Sequence, residues 1–261
     1  MQQSSAEKKE DMKRVRLTVA YDGTNYHGWQ IQDNGNTIEA ELNRALSDLF
    51  GEEITVIGAS RTDAGVHAMG NIAVFDTESP MKTSKISYAL NQRLPDDIRI
   101  QKSEEVPADW HPRRCESRTT YEYRIYRGEF PMPIKRLSSH FTYHTLDVDK
   151  MREAAAYLEG KHDFMSFCQT GAQVVDGMRA NTVRTIYLAL VEEQGSDVVI
   201  RICGSGFLYN MVRIIAGTLL EVGQGKRTPE SMAEVLEARD RSAAGPTAPA
   251  NGLTLIKYEF L

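Results

Sequence analysis

Apolar residues recur along this chain at two spacings, which predict strands where they alternate and helices where they return every three to four residues. Polar and apolar side chains alternate in residues 14–22, as in a half-buried strand. In residues 37–50 an apolar stripe follows Thr37, which is a residue type that caps helix N-termini. The first half is predicted to contain a strand at 14–22, a helix at 37–50, strands at 54–57 and 71–75, a helix at 84–93 and a strand at 98–106.

The second half is predicted to follow a similar order of elements. Its strands are predicted at 119–127, 139–146, 182–192, 198–204 and 253–260, and its helices at 149–159 and 209–222. Both halves mix helices with strands that can pair as antiparallel neighbours, which predicts an α+β fold of two related subdomains with abutting sheets. We expect a disordered tail over residues 1–13, a first subdomain over 14–115 and a second over 116–261.

One acidic side chain, Asp63, lies in the predicted loop between the strands at 54–57 and 71–75, two residues after Arg61. A carboxylate beside an Arg, on a loop held by two strands, can present a reactive acid to a substrate. The same residues are also ordinary turn formers, because Asp bonds its own backbone and Gly65 can adopt a positive φ. On these residues alone, a turn is the better interpretation. The small residues around the two charges are Gly58, Ala59, Ala64 and Gly65.

Charge is distributed unevenly along the chain. The formal net charge is −5, which differs from the basic balance typical of simple nucleic-acid binders. Residues 110–136 nevertheless hold seven basic and three acidic side chains, a local balance of +4, with aromatic residues between them. Basic groups for phosphates and rings for bases are an RNA-like mixture, although a charged strand edge explains the pattern equally well. The basic residues are Arg113, Arg114, Arg118, Arg124, Arg127, Lys135 and Arg136.

The remaining composition excludes several classes of protein. The three cysteines are far apart and form no CxxC pair, which fits a reducing cytoplasm and argues against a disulfide framework or a zinc site. No apolar run approaches the length needed to cross a bilayer, and residues 1–14 lack the apolar core of a signal peptide. The chain shows no phosphate-binding loop and no dinucleotide fingerprint. We therefore expect a cytoplasmic protein that does not associate with a membrane and uses neither a metal nor an organic cofactor.

A second candidate cluster spans residues 204–213. Gly204, Ser205 and Gly206 allow close approach of another group, and Phe207 leads into the predicted helix that carries Arg213. An Arg among apolar residues is costly to bury unless it is paired, and its natural partner is a carboxylate from elsewhere in the chain. A structural ion pair or a solvent-facing position would explain Arg213 as well.

Taken together, these segments resemble the TruA family of tRNA pseudouridine synthases. The resemblance spans residues 14–261, and its most specific part is the eight-residue segment 61–68 around Asp63. The matching segments, in the family's order, are residues 21–30, 58–68, 118–126, 207–213 and 248–253. The resemblance implies two ferredoxin-like or RRM-like α+β subdomains with mostly antiparallel sheets joined across a central active-site cleft. It also implies a homodimer that isomerises uridine at nucleotides 38, 39 and 40 of the tRNA anticodon stem-loop, without metal or organic cofactor.

The resemblance also implies a role for individual residues. Asp63 matches the catalytic aspartate, Arg213 the arginine paired with it, and Tyr121 the tyrosine that stacks on the target base. Leu253 matches an apolar contact to the substrate, and Arg61 belongs to the aspartate loop. Phe207 is expected to help exclude water, and Arg113 and Arg118 to hold phosphates while the base is flipped out.

Two other functions remain open on the residues themselves. Paired α+β modules with aromatic strands can bind RNA without chemistry, but such a protein has no need for an acid like Asp63 facing phosphates. A nucleoside or glycoside hydrolase normally uses two carboxylates, and here one stands out. His67 is expected to be a packed loop residue, and Cys168 a core residue.

Overall fold

In the computed structural model, residues 12–172, 174–175, 178–179 and 181–261 are described. The chain divides into two compact units, Met1–Cys115 and Glu116–Leu261, and each is described by itself. The expected tail at 1–13 lies outside the described residues except for Met12 and Lys13, and Lys13 already begins the first strand.

The first unit is an antiparallel sheet with two helices. Its sheet order is β4-β1-β3, and the short β2 pairs with β3. The elements are β1 (Lys13–Tyr21), α1 (Ile38–Phe50), β2 (Ile57–Gly58), β3 (His67–Thr77), α2 (Thr83–Asn91) and β4 (Ile98–Val106). Alternation in β1 buries Leu17 and Val19, and α1 buries the stripe that its periodicity predicts. The helix begins where Thr37 accepts a hydrogen bond from the Ala40 amide.

The second unit is a larger α+β arrangement. Its main sheet has the antiparallel order β12-β5-β11-β10-β7, and β8 and β9 form a small hairpin apart from it. The elements are β5 (Ser117–Arg127), β6 (His140–Thr142), α3 (Val148–Ala156), β7 (Gly160–Asp163), β8 (Val174–Val175), β9 (Met178–Arg179), β10 (Val183–Gln194), β11 (Asp197–Gly204), α4 (Met211–Gly223), α5 (Ser231–Ala238) and β12 (Leu253–Phe260). The expected α+β class with mostly antiparallel sheets is thus confirmed in both units.

Several predicted elements differ in length from the observed ones, and the strand expected at 71–75 extends over His67–Thr77. The strand expected at 139–146 is only β6, which pairs in parallel with residues 125–127 of β5. It ends at Thr142 because its partner β5 ends at Arg127, directly opposite. The strand before the aspartate loop shrinks to Ile57–Gly58. The helix expected from residue 209 begins at Met211, since Asn210 has a φ of 61°, outside the helical range.

Candidate active site

The Asp63 loop, residues 59–66, joins β2 to β3 in the first unit. The Val66 amide donates to the Asp63 carbonyl at 3.1 Å, and Gly65 has a φ of +77°, so Asp63 opens a β-turn. The turn indicated by the sequence is therefore present. It leaves the Asp63 side chain half-buried and the Arg61 side chain exposed.

The loop is fastened to the preceding polar segment, residues 23–36. The Trp29 amide donates to the Thr62 carbonyl at 3.0 Å, and the Gly65 amide donates to the Tyr26 carbonyl at 3.2 Å. A Cβ atom on Gly28 would lie 2.6 Å from the Thr62 carbonyl oxygen. Only a residue without a side chain allows the two backbones to approach this closely.

Arg113 also contacts this part of the first unit. Its Nε donates to the Gly58 carbonyl at 2.8 Å, at the end of β2, while its side chain is otherwise exposed. Arg113 therefore supports the start of the loop. The sequence predicts that Arg113 contacts phosphates, but it does not predict this support.

His67 begins β3 and is buried, as expected for a packed loop residue. Its Nδ1 accepts a hydrogen bond from the Gly23 amide at 3.1 Å and lies 3.1 Å from the Asp22 carboxylate. Burial opposes ionisation of Asp22, but hydrogen bonds from Thr24 and the nearby His67 bring its pKa below its ordinary value. These contacts fix His67 as a structural residue beside the loop.

The second unit carries the other expected site residues. Tyr121 lies on β5 and is 8% exposed, and its ring meets the ring of Phe207 edge to face, with centroids 5.2 Å apart and planes at 90°. Such edge-to-face pairs stabilise the orientation of both rings. The pair confirms that β5 and the segment after Gly204 are neighbours within this unit.

Arg213 lies in the first turn of α4. Its Nε donates to the Ala248 carbonyl at 2.8 Å and its Nη1 donates to the Asn210 side-chain oxygen at 2.9 Å. The Ala248 amide returns a hydrogen bond to the Arg213 carbonyl at 3.1 Å. Arg213 therefore anchors residues 248–253, and its pairing with Asp63 stays a prediction.

Leu253 is buried at the start of β12, where it pairs with Tyr123. The Tyr123 hydroxyl donates to the Pro249 carbonyl at 2.9 Å, and burial raises its pKa, so it keeps this proton. A Cβ on Gly252 would lie 2.7 Å from the Tyr123 ring. The loop before Leu253 is thus held against β5.

Three of the seven basic residues in the stretch 110–136, Arg124, Arg127 and Lys135, pair with acids within the second unit. Arg124 pairs with Glu122 and Asp197, and Asp197 also pairs with Lys135. Arg127 pairs with Glu193, an acid on β10. Arg118 is exposed, with its guanidinium 4.6 Å from the ring centroid of Tyr187. The stretch is therefore less available to phosphates than its local charge of +4 indicates, and Arg118 keeps an outward-facing guanidinium.

The expected site residues are divided between the units. Arg61, Asp63 and Arg113 lie in the first, while Arg118, Tyr121, Phe207, Arg213 and Leu253 lie in the second. The sequence did not reveal the support that Asn71 and Tyr21 give to the Asp63 loop. The one signal that could have pointed to it is the amide of Asn71 at the head of the otherwise apolar run 72–75.

In the part of the chain that the structure describes, no group of three or more His, Cys, Asp and Glu side chains is arranged to hold a metal ion. Among the same residues, no helix is long and apolar enough to cross a membrane. Cys168 is buried, as expected for a core residue.

Comparisons with known proteins give consistent matches. The sequence model of the family described as "tRNA pseudouridine synthase" matches residues 17–113 and 154–260. The tRNA pseudouridine synthase A of Ruminiclostridium cellulolyticum is 47% identical over 250 residues, covering 95% of this chain and 100% of the relative. That of Acetivibrio thermocellus is 46% identical over 249 residues, with the same coverage. The tRNA pseudouridine synthase A of Syntrophomonas wolfei is 43% identical over 250 residues, covering 95% and 98%.

A solved structure titled "Structure of H/ACA RNP bound to a substrate RNA containing 2'-deoxyuridine" shows a weaker likeness. It is 13% identical, with a TM-score of 0.35, and the match covers 79% of this chain and 44% of that one. No conclusion is drawn from a likeness of this size.

Proposed function

The chain belongs to the tRNA pseudouridine synthase family, and we propose that it isomerises uridine to pseudouridine in the anticodon stem-loop of tRNAs. The proposed targets are nucleotides 38, 39 and 40, as its resemblance to the TruA family implies. The observation that carries the proposal is the turn that presents Asp63, fastened on both sides by backbone hydrogen bonds. Asp63 is the proposed nucleophile.

The reaction needs a carboxylate and no redox partner. An ionised Asp63 would attack or stabilise the electron-poor C1′ while the N1–C1′ bond breaks, as carboxylates do in glycosidases. The uracil then turns and C5 joins C1′, and any bond between Asp63 and C1′ breaks in that step. The proton on C5 is lost and N1 gains one, directly or through solvent, so atoms and electrons balance without an activated donor.

The remaining roles are those that the resemblance implies, and the chemistry of the side chains fits them. Arg213 would favour the ionised form of the Asp63 carboxyl, as a nearby cation does. Tyr121 would stack on the uracil while it turns, an interaction worth on the order of 1–3 kcal/mol per base. Phe207 and Leu253 would exclude water that could intercept the sugar. The T-shaped contact between Phe207 and Tyr121 supports the pairing of their roles.

Substrate and assembly follow from the same proposal. Arg61, Arg113 and Arg118 are exposed cations that would contact phosphates of the anticodon stem-loop. The protein would act as a homodimer in the cytoplasm, without metal or organic cofactor.

The decisive experiment replaces Asp63 by Asn and measures tritium release from tRNA that carries uridine labelled at C5. The matched control is Asp48→Asn, which removes an exposed carboxylate paired with Arg93 in the same unit. We expect Asp63→Asn to lower turnover by at least about 10³-fold while tRNA still binds, as loss of a nucleophile does. Asp48→Asn should keep full turnover.

Each contrary result points to a different conclusion. Retained turnover in Asp63→Asn contradicts the role of Asp63 as nucleophile. A wild-type protein that binds tRNA but releases no tritium supports a non-catalytic RNA-binding module instead.

A further inference from the structure

Asn71 is a polar residue buried within β3, beside the Asp63 loop. Its side chain is fully buried, where an unsatisfied amide would be costly. Its Oδ1 accepts from the Ser60 amide at 3.3 Å and the Ile72 amide at 2.9 Å. Its Nδ2 donates to the Ser60 carbonyl at 3.0 Å and the Tyr21 hydroxyl at 3.2 Å. Every hydrogen-bonding position of this amide is therefore used.

The amide continues the sheet where the backbone leaves it. The last backbone contact at this end of the β2–β3 pair runs from the Ala59 amide to the Ile72 carbonyl, at 2.8 Å. At the next residue, Ser60, both peptide groups are bound by the Asn71 side chain. One side-chain amide thus replaces a peptide group at the point where the Asp63 loop departs.

The same amide is also linked, through Tyr21, to Thr62, the residue that follows Arg61. The Tyr21 hydroxyl, which accepts from Asn71, lies 2.7 Å from the Thr62 hydroxyl. Tyr21 and Thr62 are both buried, so water does not compete for these bonds. Ser60 and Thr62 are consequently held from one centre, and Asp63 is the next residue in the chain.

We propose that Asn71 is a positioning residue for Asp63, which it places through Ser60, Tyr21 and Thr62. The inference rests on the proposed function of the Asp63 loop. Asn71 itself would touch neither the uridine nor the reacting atoms. Its contribution is geometric, because a reacting group displaced by about 1 Å can lose about 100-fold in rate.

The chain offers a matched control in Asn91, at the C-terminal end of α2. The Asn91 amide makes the same two-point contact to a backbone, donating to the Ile100 carbonyl at 2.9 Å and accepting from the Ile100 amide at 2.8 Å. Asn91→Leu and Asn71→Leu each remove an amide that binds both the N–H and the C=O of one residue. Only the second acts on the Asp63 loop.

The test compares both variants in tritium release and thermal unfolding of the full chain. We expect both to lower the unfolding temperature, but only Asn71→Leu to lower kcat, by about 100-fold, with KM within about twofold of wild type. Wild-type kcat in folded Asn71→Leu, or equal losses of kcat in both variants, would overturn the proposal.

A second variant covers the case in which Asn71→Leu does not fold. Tyr21→Phe removes only the hydroxyl between Asn71 and Thr62, and we expect kcat to fall by about 10-fold at unchanged KM. Wild-type kcat in Tyr21→Phe would then contradict the positioning role.

Amide hydrogen exchange separates this inference from the proposed function. We expect exchange at Ser60 to be at least about 10-fold faster in Asn71→Leu, or in Tyr21→Phe if Asn71→Leu does not fold, but not in Asn91→Leu. If wild type releases no tritium, the proposed function fails and exchange alone decides whether Asn71 holds the loop. Unchanged exchange at Ser60 counts against the inference.

Discussion

Gly28 is the position at which one methyl group would disturb the Asp63 loop most directly. Its φ is +92°, a conformation that L residues with a side chain rarely adopt. A Cβ there would lie 2.6 Å from the Thr62 carbonyl oxygen and 3.1 Å from the Asp63 carbonyl carbon. The methyl group added by Gly28→Ala therefore overlaps the loop backbone at Thr62 and Asp63 and has to displace it.

The size of the effect has two parts. The positive φ costs about 1–2 kcal/mol for an L residue, whatever surrounds it. Ordinary contact begins near 3.4 Å, so the Thr62 carbonyl has to retreat by about 0.8 Å in a closely packed environment. Relieving this overlap adds about 1–3 kcal/mol to the loss in free energy of unfolding. A displacement of this size at Asp63 predicts a fall in kcat of about 100-fold.

Gly51→Ala separates the two parts. Gly51 follows α1 with a φ of +72°, and a Cβ there would meet no atom within 4 Å. We expect it to lose roughly the same 1–2 kcal/mol of stability that the positive φ costs, and to keep full kcat in the tritium-release assay. Thermal unfolding of both variants measures the loss in free energy of unfolding that each substitution causes. Wild-type kcat in a folded Gly28→Ala protein, or an equal loss of kcat in Gly51→Ala, would refute the reasoning.

The proposed interactions with tRNA and with a second copy yield two further predictions. Binding of tRNA should weaken steeply with salt despite the net charge of −5, and Arg118→Ala should reduce the salt slope of log Kd by about one relative to Arg44→Ala. A flat affinity between low and moderate salt, or equal slopes in the two variants, would contradict the phosphate contact. Light scattering at micromolar concentration should give the mass of a dimer, and a monomeric mass would exclude the homodimer.

Local patterns predicted much of the fold because their causes are local. The apolar stripe after Thr37 predicted α1, and the cap that Thr37 provides is observed. The glycine and aspartate residues after Gly58 predicted a turn, and Gly65 takes the positive φ that such a turn needs. These features depend on a few neighbouring residues, so the sequence alone contains them.

Other features depend on residues far apart in the chain. The charge of residues 110–136 was counted locally, whereas Arg124 and Lys135 are compensated by Asp197, more than sixty residues away. β6 is short because its partner β5 ends at Arg127, opposite Thr142. A count along the sequence cannot include such partners, since tertiary pairing decides them.

Asn71, beside the Asp63 loop, also depends on residues far from it in the chain. It is the first residue of the strand predicted at 71–75, and its purpose depends on Ser60 and Tyr21. Neither partner is marked by spacing or composition. The Asp63 loop could be found from the sequence, but the residues that hold it could not.

Because of the Asn71 amide, the start of the Asp63 loop and the register of the sheet depend on different groups. A ladder made only of backbone hydrogen bonds would fix both together. Peptide groups are nearly the same in every residue, so a point mutation rarely changes which backbone hydrogen bonds a strand can form. A side-chain amide is instead specified by one codon. The point at which the chain leaves β2 is therefore a heritable variable, and a change in one codon can shift it while the strands of the sheet keep their register.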